Sequence, residues 1–339
     1  MSEVNADRLD WIDAAKGLGI LAVVAGHIYR GFLYDVIFVF HIPFFFFLAG
    51  YLYRVKPDKK RYLLDKIGHL MVPYGSFLVL LYLPFAVMQV IDHGVDAKLF
   101  LRPLAGGRLL GSWLGIFWFA TCLFFVQQTM NVLLCRFTRR GVAWMMLGAL
   151  VLGYVNSAVF PRFWLPGDVN VALAACPVFF VGHLARQVPL ERYWLAYLAG
   201  TVLAVLLLAA GFENTLDMKF ARYGIPGVTF LSSLCMIGLL ICAARRLSAF
   251  AFLDRLVSAC GEASMTVMYL HLPVVKLAQS ITGSANPHFR FLAAVAVPVV
   301  VHRLVARNTC ARALLLGSND DLAKCGRKVL SGAGGVLCK

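Results

Sequence analysis

Residues 17–50 read GLGILAVVAGHIYRGFLYDVIFVFHIPFFFFLAG, and this stretch decides the fold class. Its only Asp, Glu, Lys or Arg side chains are Arg30 and Asp35. About 20 apolar residues in a helix cross the hydrocarbon core of a bilayer. The stretch therefore predicts two consecutive membrane-spanning helices, within apolar runs at 15–33 and 35–53.

The rest of the chain repeats this pattern. Further apolar runs lie at 67–91, 113–135, 142–160, 171–185, 193–211, 225–244, 264–282 and 290–306. Of the 339 residues, 60% are apolar and 14% are charged, which excludes a soluble enzyme, a disordered chain and a coiled coil. We predict an all-α polytopic bundle of about ten spans in the lipid bilayer. We predict that this membrane domain covers residues 1–312 and that residues 313–339 form a loosely ordered cytoplasmic tail.

The distribution of basic residues predicts the orientation. The net charge of +15 would suggest nucleic acid on a soluble domain, but here most Lys and Arg flank apolar runs and no nucleic-acid motif is present. If successive spans cross the membrane in opposite directions, 23 of the 32 Lys and Arg residues lie on the same side of the membrane as the N-terminus. Cytoplasmic loops carry such an excess. We therefore expect both termini in the cytoplasm, with loops 92–112 and 211–224 outside.

The cysteines indicate neither a disulfide framework nor a zinc module. Nine are present, an odd number, and none form a C-x-x-C pair. A metal site built from His27, His41 and His271 would have no carboxylate at ligand spacing beside it. We therefore expect no metal.

Two histidines lie inside the first apolar runs, where ionisable groups are costly and usually mark a pathway or a site. His27 follows Lys16 by eleven residues, which is close to three helical turns, so both side chains share one helix face about 16 Å apart. This spacing places Lys16 at the cytoplasmic mouth and His27 near the middle of the membrane. Asp13, one turn before Lys16, is positioned to pair with it. His41 lies in the second run.

Structural roles for these residues stay open at this point. Lys16 alone is also typical of a membrane anchor. His27 would also suit a hydrogen-bonded histidine of the bundle. His41 precedes Pro43 and could satisfy a carbonyl that the proline leaves without a partner.

The residues around these positions resemble the membrane acyltransferase-3 family. RLDWIDAAKG (8–17) followed by VAGH (24–27) is similar to the family's first helix, and FHIPFFFFLAGY (40–51) is similar to its second. A basic residue followed eleven positions later by His is the family's signature, matched here by Lys16 and His27. More narrowly, the chain resembles the branch of fucose 4-O-acetylase-like and exopolysaccharide (xanthan-type) O-acetyltransferases.

Weaker similarities extend to about residue 306. WF (118–119) with LF (123–124) resembles the fourth helix of the family, and NTLDMK (214–219) with YG (223–224) resembles its outer loop. GEAS (261–264) through YLH (269–271) resembles a late helix of the family.

The resemblance implies transfer of an acetyl group from acetyl-CoA to a sugar hydroxyl, at the cytoplasmic (inner) membrane. The catalytic residues would be His27 and His41, and Lys16 and Asp13 would lie at the CoA site. The acceptor would bind near Asn214, Asp217, Tyr223 and His271. It would be a polysaccharide or its lipid-linked precursor, and other polysaccharide-assembly proteins are implied partners.

A second class of function fits the same intramembrane histidines. A transporter or flippase for a glycan precursor would also place polar groups in broken helices, without covalent chemistry. Internal symmetry between two halves is not evident in the sequence, which favours the enzyme. A membrane scaffold is a third option, and the spacing from Lys16 to His27 disfavours it.

Overall fold

The computed structural model describes residues 11–94, 96, 98–247, 249–283 and 286–325. Helices dominate this part of the chain, which contains no β-strand. An isolated antiparallel bridge joins Asp217 to Arg222 in the loop between two long helices. The described residues therefore confirm the predicted all-α class.

The α-helices are numbered in chain order. They are α1 (Trp11–Ile28), α2 (Phe32–Phe38), α3 (His41–Leu52), α4 (Lys59–Lys66), α5 (Val72–His93), α6 (Lys98–Ala105), α7 (Trp118–Arg136), α8 (Arg139–Val159), α9 (Ala172–Ala185), α10 (Trp194–Ala209), α11 (Val228–Leu247), α12 (Ala251–Glu262), α13 (Ser264–Thr282), α14 (Pro287–Val305) and α15 (Thr309–Leu315). A π-helical turn, Ile67–Met71, joins α4 to α5. Short 3-10 turns lie at Gly107–Leu109, Ser112–Leu114, Pro166–Val171, Leu190–Tyr193 and Met218–Phe220.

Among the described residues, nine segments are long and apolar enough to cross a membrane. They are Trp11–Ile28, Phe32–Leu52, Lys59–His93, Ser112–Arg136, Arg139–Val159, Pro166–Ala185, Leu190–Ala209, Val228–Leu247 and Pro287–Val305. The remaining predicted run, 264–282, forms the 19-residue helix α13, which is more polar and packs against α1 and α14. The prediction of a polytopic helical membrane bundle is confirmed.

The two ends of the described chain lie at one face of the bundle. Lys16, in the second turn of α1, lines the same cleft as Asn319 and Asp320. His69 Nδ1 lies 3.2 Å from the carbonyl oxygen of Gly317, which joins the start of α5 to the same region. We call this side the inner face. Its assignment to the cytoplasm remains a prediction from the basic residues.

Pairs of glycines bring two helix pairs into backbone contact. A Cβ atom on Gly50 of α3 would collide with the carbonyl of Phe179 in α9, and one on Gly182 of α9 would collide with the carbonyl of Phe47. Gly17 of α1 and Gly261 of α12 approach each other's helix in the same way. Small residues permit such close packing between membrane helices. These contacts fix the positions of α1 and α3, which carry His27 and His41.

The predicted loose tail begins at residue 313, and the structure describes it as far as residue 325. This part is packed rather than loose: Arg312 pairs with Asp321 at 2.7 Å, and residues 319–325 are helical. Asn319 Nδ2 donates to the carbonyl oxygen of Asp65, 3.1 Å away. The remainder of the predicted tail, 326–339, lies outside the described residues.

Candidate functional site

A large cleft opens at the inner face. Its volume is about 790 Å³, and it is lined by Lys16 of α1, by α3 and the loop after it, by α4 and the π-helical turn, by α7 and by residues 319–320. Four of its lining side chains are cations: Lys16, Arg54, Lys56 and Lys66. Asp65 and Asp320 are the acidic ones among the described residues that line it. This inner cleft is therefore a net basic site, suited to a polyanionic head group.

A narrow apolar passage continues from the inner cleft toward the opposite face. This throat has a volume of about 130 Å³ and shares Phe45, Leu123 and Ser264, among others, with the cleft. Its other walls include Ile20, Val23 and the methionines of α13. Ser264 supplies the only hydrogen-bonding side chain among the described residues that line it. The throat therefore suits a slender chain with few polar groups.

The throat leads into a third cavity, the outer chamber, with which it shares Ile42 and Ile116. The chamber has a volume of about 430 Å³ and is lined by His27, His41 and the loops 112–116 and 216–220. These loops lie at the face opposite the inner cleft. The three cavities thus follow one another across the bundle, each sharing lining residues with the next, and we call this series the path.

A single face of α1 lines the whole path. Lys16 lies in the inner cleft, Ile20 and Val23 line the throat, and His27 lies in the outer chamber. Their spacing of four, three and four residues keeps all four side chains on one side of the helix. The predicted shared face of Lys16 and His27 is therefore present in the structure, and its two ends lie in different cavities.

Three histidines cluster beside the outer chamber, and two of them, His27 and His41, line it. The ring of His27 stacks on that of His271, with centroids 5.2 Å apart, and lies edge-on to that of His41 at 6.4 Å. His41 and His271 are buried, whereas His27 is partly exposed to the chamber. His27 is therefore the member of the group that a ligand in the chamber can reach most directly.

Backbone contacts set the protonation pattern of two of these rings. His41 Nδ1 lies 2.9 Å from the carbonyl oxygen of Ile37, and His271 Nδ1 lies 2.9 Å from that of Val267. Because a carbonyl only accepts, each Nδ1 carries the proton, and each Nε2 of the neutral ring is an acceptor. The Nε2 of His271 is buried and has no hydrogen-bond partner within the described residues. The carbonyl that His41 contacts is that of Ile37, whereas the carbonyl four residues before Pro43 belongs to Val39.

The comparison with protein families gives the class of protein that carries this path. The model of the acyltransferase-3 family, described as an acyltransferase domain, matches residues 9–304. The chain belongs to the acyltransferase-3 family. No curated protein and no solved structure matches the chain. The match extends over α1, α3, α7 and α13, which are among the helices that line the path, so this membrane protein is an acyltransferase.

The position of His27 in the acyltransferase differs from the prediction. Helix α1 ends at Ile28, so His27 lies in its last turn, beside the outer loops, rather than near the middle of a span. The apolar run reaches residue 33, but Gly31 has a positive φ of 74° and the chain turns there. A left-handed residue ends a helix more readily when it is glycine.

Asp13 and Lys16 form the predicted pair. Lys16 Nζ lies 3.1 Å from Asp13 Oδ1, and both side chains are partly exposed. A pair this exposed adds little to stability, typically less than about 1 kcal/mol. Its effect is to hold the ammonium group of Lys16 at the edge of the inner cleft.

The structure places the residues predicted to bind the acceptor in different environments. Asp217 lines the outer chamber. Asn214 is fully buried elsewhere: its amide donates to Ser232 at 3.2 Å, and its oxygen accepts from Thr229 at 2.8 Å. Tyr223 is also buried and packs against Tyr154 rather than facing the chamber. Asn214 and Tyr223 therefore shape the outer loop and do not line the chamber.

Lys219 is a chamber residue that the sequence analysis treated only as part of a loop motif. Its ammonium group donates to the carbonyl oxygens of Gly115, at 2.9 Å, and Leu110, at 3.4 Å, and so ties two outer loops together. Burial lowers the pKa of Lys219, and the nearby Asp168 and Asp217 oppose this shift. Burial likewise raises the pKa of Asp217. The two groups thus share a partly dehydrated wall of the chamber.

Other lining cations were assigned by sequence to membrane orientation alone. Arg54, Lys56 and Lys66 line the inner cleft, and so does His69, which gave no clear signal in the sequence. Their clustering between two spans was the available signal, but an anchor and a ligand site give the same pattern in a sequence. In the described part of the chain, no group of three His, Cys, Asp or Glu has the arrangement of a metal site.

Proposed function

We propose that the acyltransferase moves an acetyl group from acetyl-CoA in the inner cleft to a sugar hydroxyl in the outer chamber. One observation carries the proposal: the face Lys16, Ile20, Val23, His27 runs from a basic cleft through an apolar throat to a histidine. CoA has the matching order of parts, with charged phosphates at one end and a slender arm that ends in the thioester.

The inner cleft supports the donor end of this proposal. Lys16 and Lys66 supply point charges, and Arg54 supplies a planar fork for phosphate oxygens. CoA cannot cross the throat, because its charged head would lose its hydration there. Only the thioester arm would enter, past Val23 and Met268, so CoA would stay on the inner side.

The outer chamber supports the acceptor end. In the proposed reaction, His27 removes the proton from the sugar hydroxyl as its oxygen attacks the thioester carbonyl carbon. The new ester bond forms, the carbon–sulfur bond breaks, and the proton on His27 passes to the leaving thiolate of CoA. His41, which lines the chamber, offers an Nε2 acceptor that orients the hydroxyl or its proton, and the stacked ring of His271 supports His27 from behind. An acetyl group carried transiently on His27 is the alternative route, in which the imidazole attacks first.

The throat favours this function over a glycan transporter. A sugar in that passage would have Ser264 alone as a side-chain hydrogen-bond partner among the described lining residues. Leaving hydroxyls without partners in an apolar site costs several kcal/mol, on the order of 2–7 for each group. A transporter for glycans would need polar side chains along the whole passage, including the throat.

The finer parts of the proposal come from the resemblance in the sequence. They are an exopolysaccharide or its lipid-linked precursor as acceptor, residence in the inner membrane, and polysaccharide-assembly proteins as partners. Comparing acetyl signals by NMR in the polymer from cells with and without the gene would test the acceptor directly.

A blocked throat tests the proposed path. We expect Val23→Trp, in protein reconstituted into nanodiscs, to abolish acetyl transfer while acetyl-CoA still binds to the cleft. The matched control is Val79→Trp, because Val79 lies on α5 with 65% of its surface exposed and does not line the path. Binding of acetyl-CoA reports that the variant is folded. Normal transfer by a folded Val23→Trp protein would contradict the path.

A further inference from the structure

The outer chamber carries more positive charge than transfer to a neutral sugar requires. Asp217 is the only carboxylate among the described residues that line it. Four cations line the same chamber: Arg30, Lys219, Lys276 and Arg290. Lys219 and Arg290 are partly buried in its wall, whereas Arg30 and Lys276 are exposed where the chamber opens, and cations that line one cleft raise the local concentration of an anion there.

The four cations come from separate parts of the chain. Arg30 follows α1, Lys219 lies in the loop before α11, Lys276 lies in α13 and Arg290 lies in α14. Cations that only anchor a protein to lipid headgroups flank the spans without converging on one cavity. Here they converge on the cavity that holds His27, which indicates a ligand rather than the bilayer.

Arg30 and Lys276 are the chamber cations whose positive charge is not compensated by an ion pair with another described residue. Lys219 already donates to two carbonyl oxygens and is near Asp168 and Asp217. Arg30 lies over the ring of Tyr34, at 5.8 Å from its centroid, and neither Arg30 nor Lys276 forms an ion pair with another described residue.

The geometry of α13 gives the distance along the helix axis between His271 and the cation Lys276. Lys276 lies five residues beyond His271 in α13, which is about 7.5 Å along the helix axis toward the outer end. Leu272, Val275 and Gln279 of the same helix also line the chamber. An acceptor that reaches His27 from the outside would therefore place its next chemical group beside Lys276.

We propose that the acceptor is an anionic saccharide, with its anionic group between Arg30 and Lys276 and its reacting hydroxyl at His27. This inference rests on the proposed function of the same chamber and narrows its substrate class. A guanidinium and an ammonium group bind carboxylate and phosphate alike. The anion is thus the carboxylate of an acidic sugar or the diphosphate of a lipid-linked precursor.

Protection of His27 from chemical modification tests the inference without depending on turnover. Diethyl pyrocarbonate modifies accessible neutral imidazoles, and peptide mass spectrometry reports His27 separately from other histidines. The probes are two matched pairs: methyl glucuronide against methyl glucoside, and a polyprenyl-diphosphate-linked glucose against a polyprenyl glucoside. The full-length protein is used in nanodiscs.

We expect at least one anionic probe to protect His27 at about tenfold lower concentration than its neutral partner. Preference in the first pair identifies a sugar carboxylate, and preference in the second identifies the lipid diphosphate. In the variants Arg30→Gln and Lys276→Gln, the ratio of the protecting concentration of the neutral probe to that of the anionic probe should fall toward one. Arg162→Gln, which changes an exposed cation of the outer surface that does not line the chamber, should leave the ratio unchanged.

Equal protection by the charged and neutral partners of both pairs would overturn the inference, as would a preference that survives both chamber substitutions. Acetyl-CoA consumption by the same preparation separates this outcome from failure of the proposed function. If the thioester is consumed but charge has no effect, only the anionic acceptor is wrong. If anions protect His27 but acetyl-CoA is never consumed with any probe, the transferase proposal is wrong and the anion site stands.

Discussion

His27 and His271 stack face to face, with ring planes 21° apart, although they come from the first helix and from α13 near the other end of the chain. Helix α13 holds His271 through the carbonyl of Val267, and the stacked ring supports His27 at the wall of the chamber. The relationship gives each ring a separate role: His27 faces the chamber, and His271 keeps a buried Nε2 acceptor behind it.

The chemistry assigned to His27 predicts the effect of its removal. We expect His27→Ala to abolish acetyl transfer, because loss of a general base alone costs about 10²–10⁴-fold. His41→Ala should be severe but leave residual activity. Membrane insertion and abundance should stay near normal, as for the control His93→Ala at the exposed end of α5. Transfer by His27→Ala at the parental rate would move the assignment to His41 or His271.

The variant His271→Asn separates the roles of the two ring nitrogens of His271, because it keeps the donor and removes the acceptor. The asparagine amide can still donate to the carbonyl of Val267, but the acceptor at the Nε2 position is lost. If the stacked imidazole of His271 positions His27 for the sugar hydroxyl, kcat/KM for the acceptor should fall about tenfold. The thermal midpoint should stay the same or rise, because a buried acceptor without a partner is removed. A lower midpoint with unchanged kinetics would show that His271 only packs.

Lys16 distinguishes CoA binding from membrane anchoring. Lys16→Arg should stay active, whereas Lys16→Ala and Lys16→Glu should raise the KM for acetyl-CoA, Glu more strongly. The effect should shrink at high salt, because Lys16 is partly exposed and screening acts there. Lys60→Ala is the control, since Lys60 is exposed at the same face and does not line the cleft. An unchanged KM in Lys16→Ala would leave Lys16 as an anchor.

Orientation in the membrane is tested with reporter fusions. Alkaline phosphatase, which is active only outside the cytoplasm, should be active when fused after Phe212 and inactive when fused at the C-terminus. Phe212 follows the end of α10, and the structure places it at the face opposite the inner cleft. The reverse pattern would mean that the inner cleft opens outward, where acetyl-CoA is absent, and would contradict the proposed donor site.

The glycine contacts between α3 and α9 predict a stability effect away from the chemistry. Gly182→Ala should destabilise the protein by about 1–3 kcal/mol, because its Cβ meets the backbone carbonyl of Phe47 and neither helix can move freely. Gly75→Ala in α5 is the matched control, since nothing lies within 4 Å of its Cβ position. It should be neutral or slightly stabilising. Thermal unfolding in detergent, followed by loss of acetyl-CoA binding, compares the two.

The class of fold and the first helix face of the site followed from the amino-acid sequence. Residues 17–50 hold only two charged side chains, Arg30 and Asp35, and apolar runs of this length are typical of helices that cross a bilayer. The spacing of Lys16 and His27 put them on one face because an α-helix repeats every 3.6 residues. These are local consequences of composition and helical geometry, so no knowledge of other helices was needed.

The tertiary structure decided everything that depends on which helices are neighbours. It placed His271 against His27, buried Asn214 and Tyr223 away from the chamber, and ended α1 one residue after His27. It also placed basic residues that the sequence assigned to membrane orientation, such as Arg54 and Lys66, in the wall of the inner cleft. A hydrophobic run specifies that a helix enters the membrane, but contacts between distant helices choose its neighbours and the side chains that line a shared path.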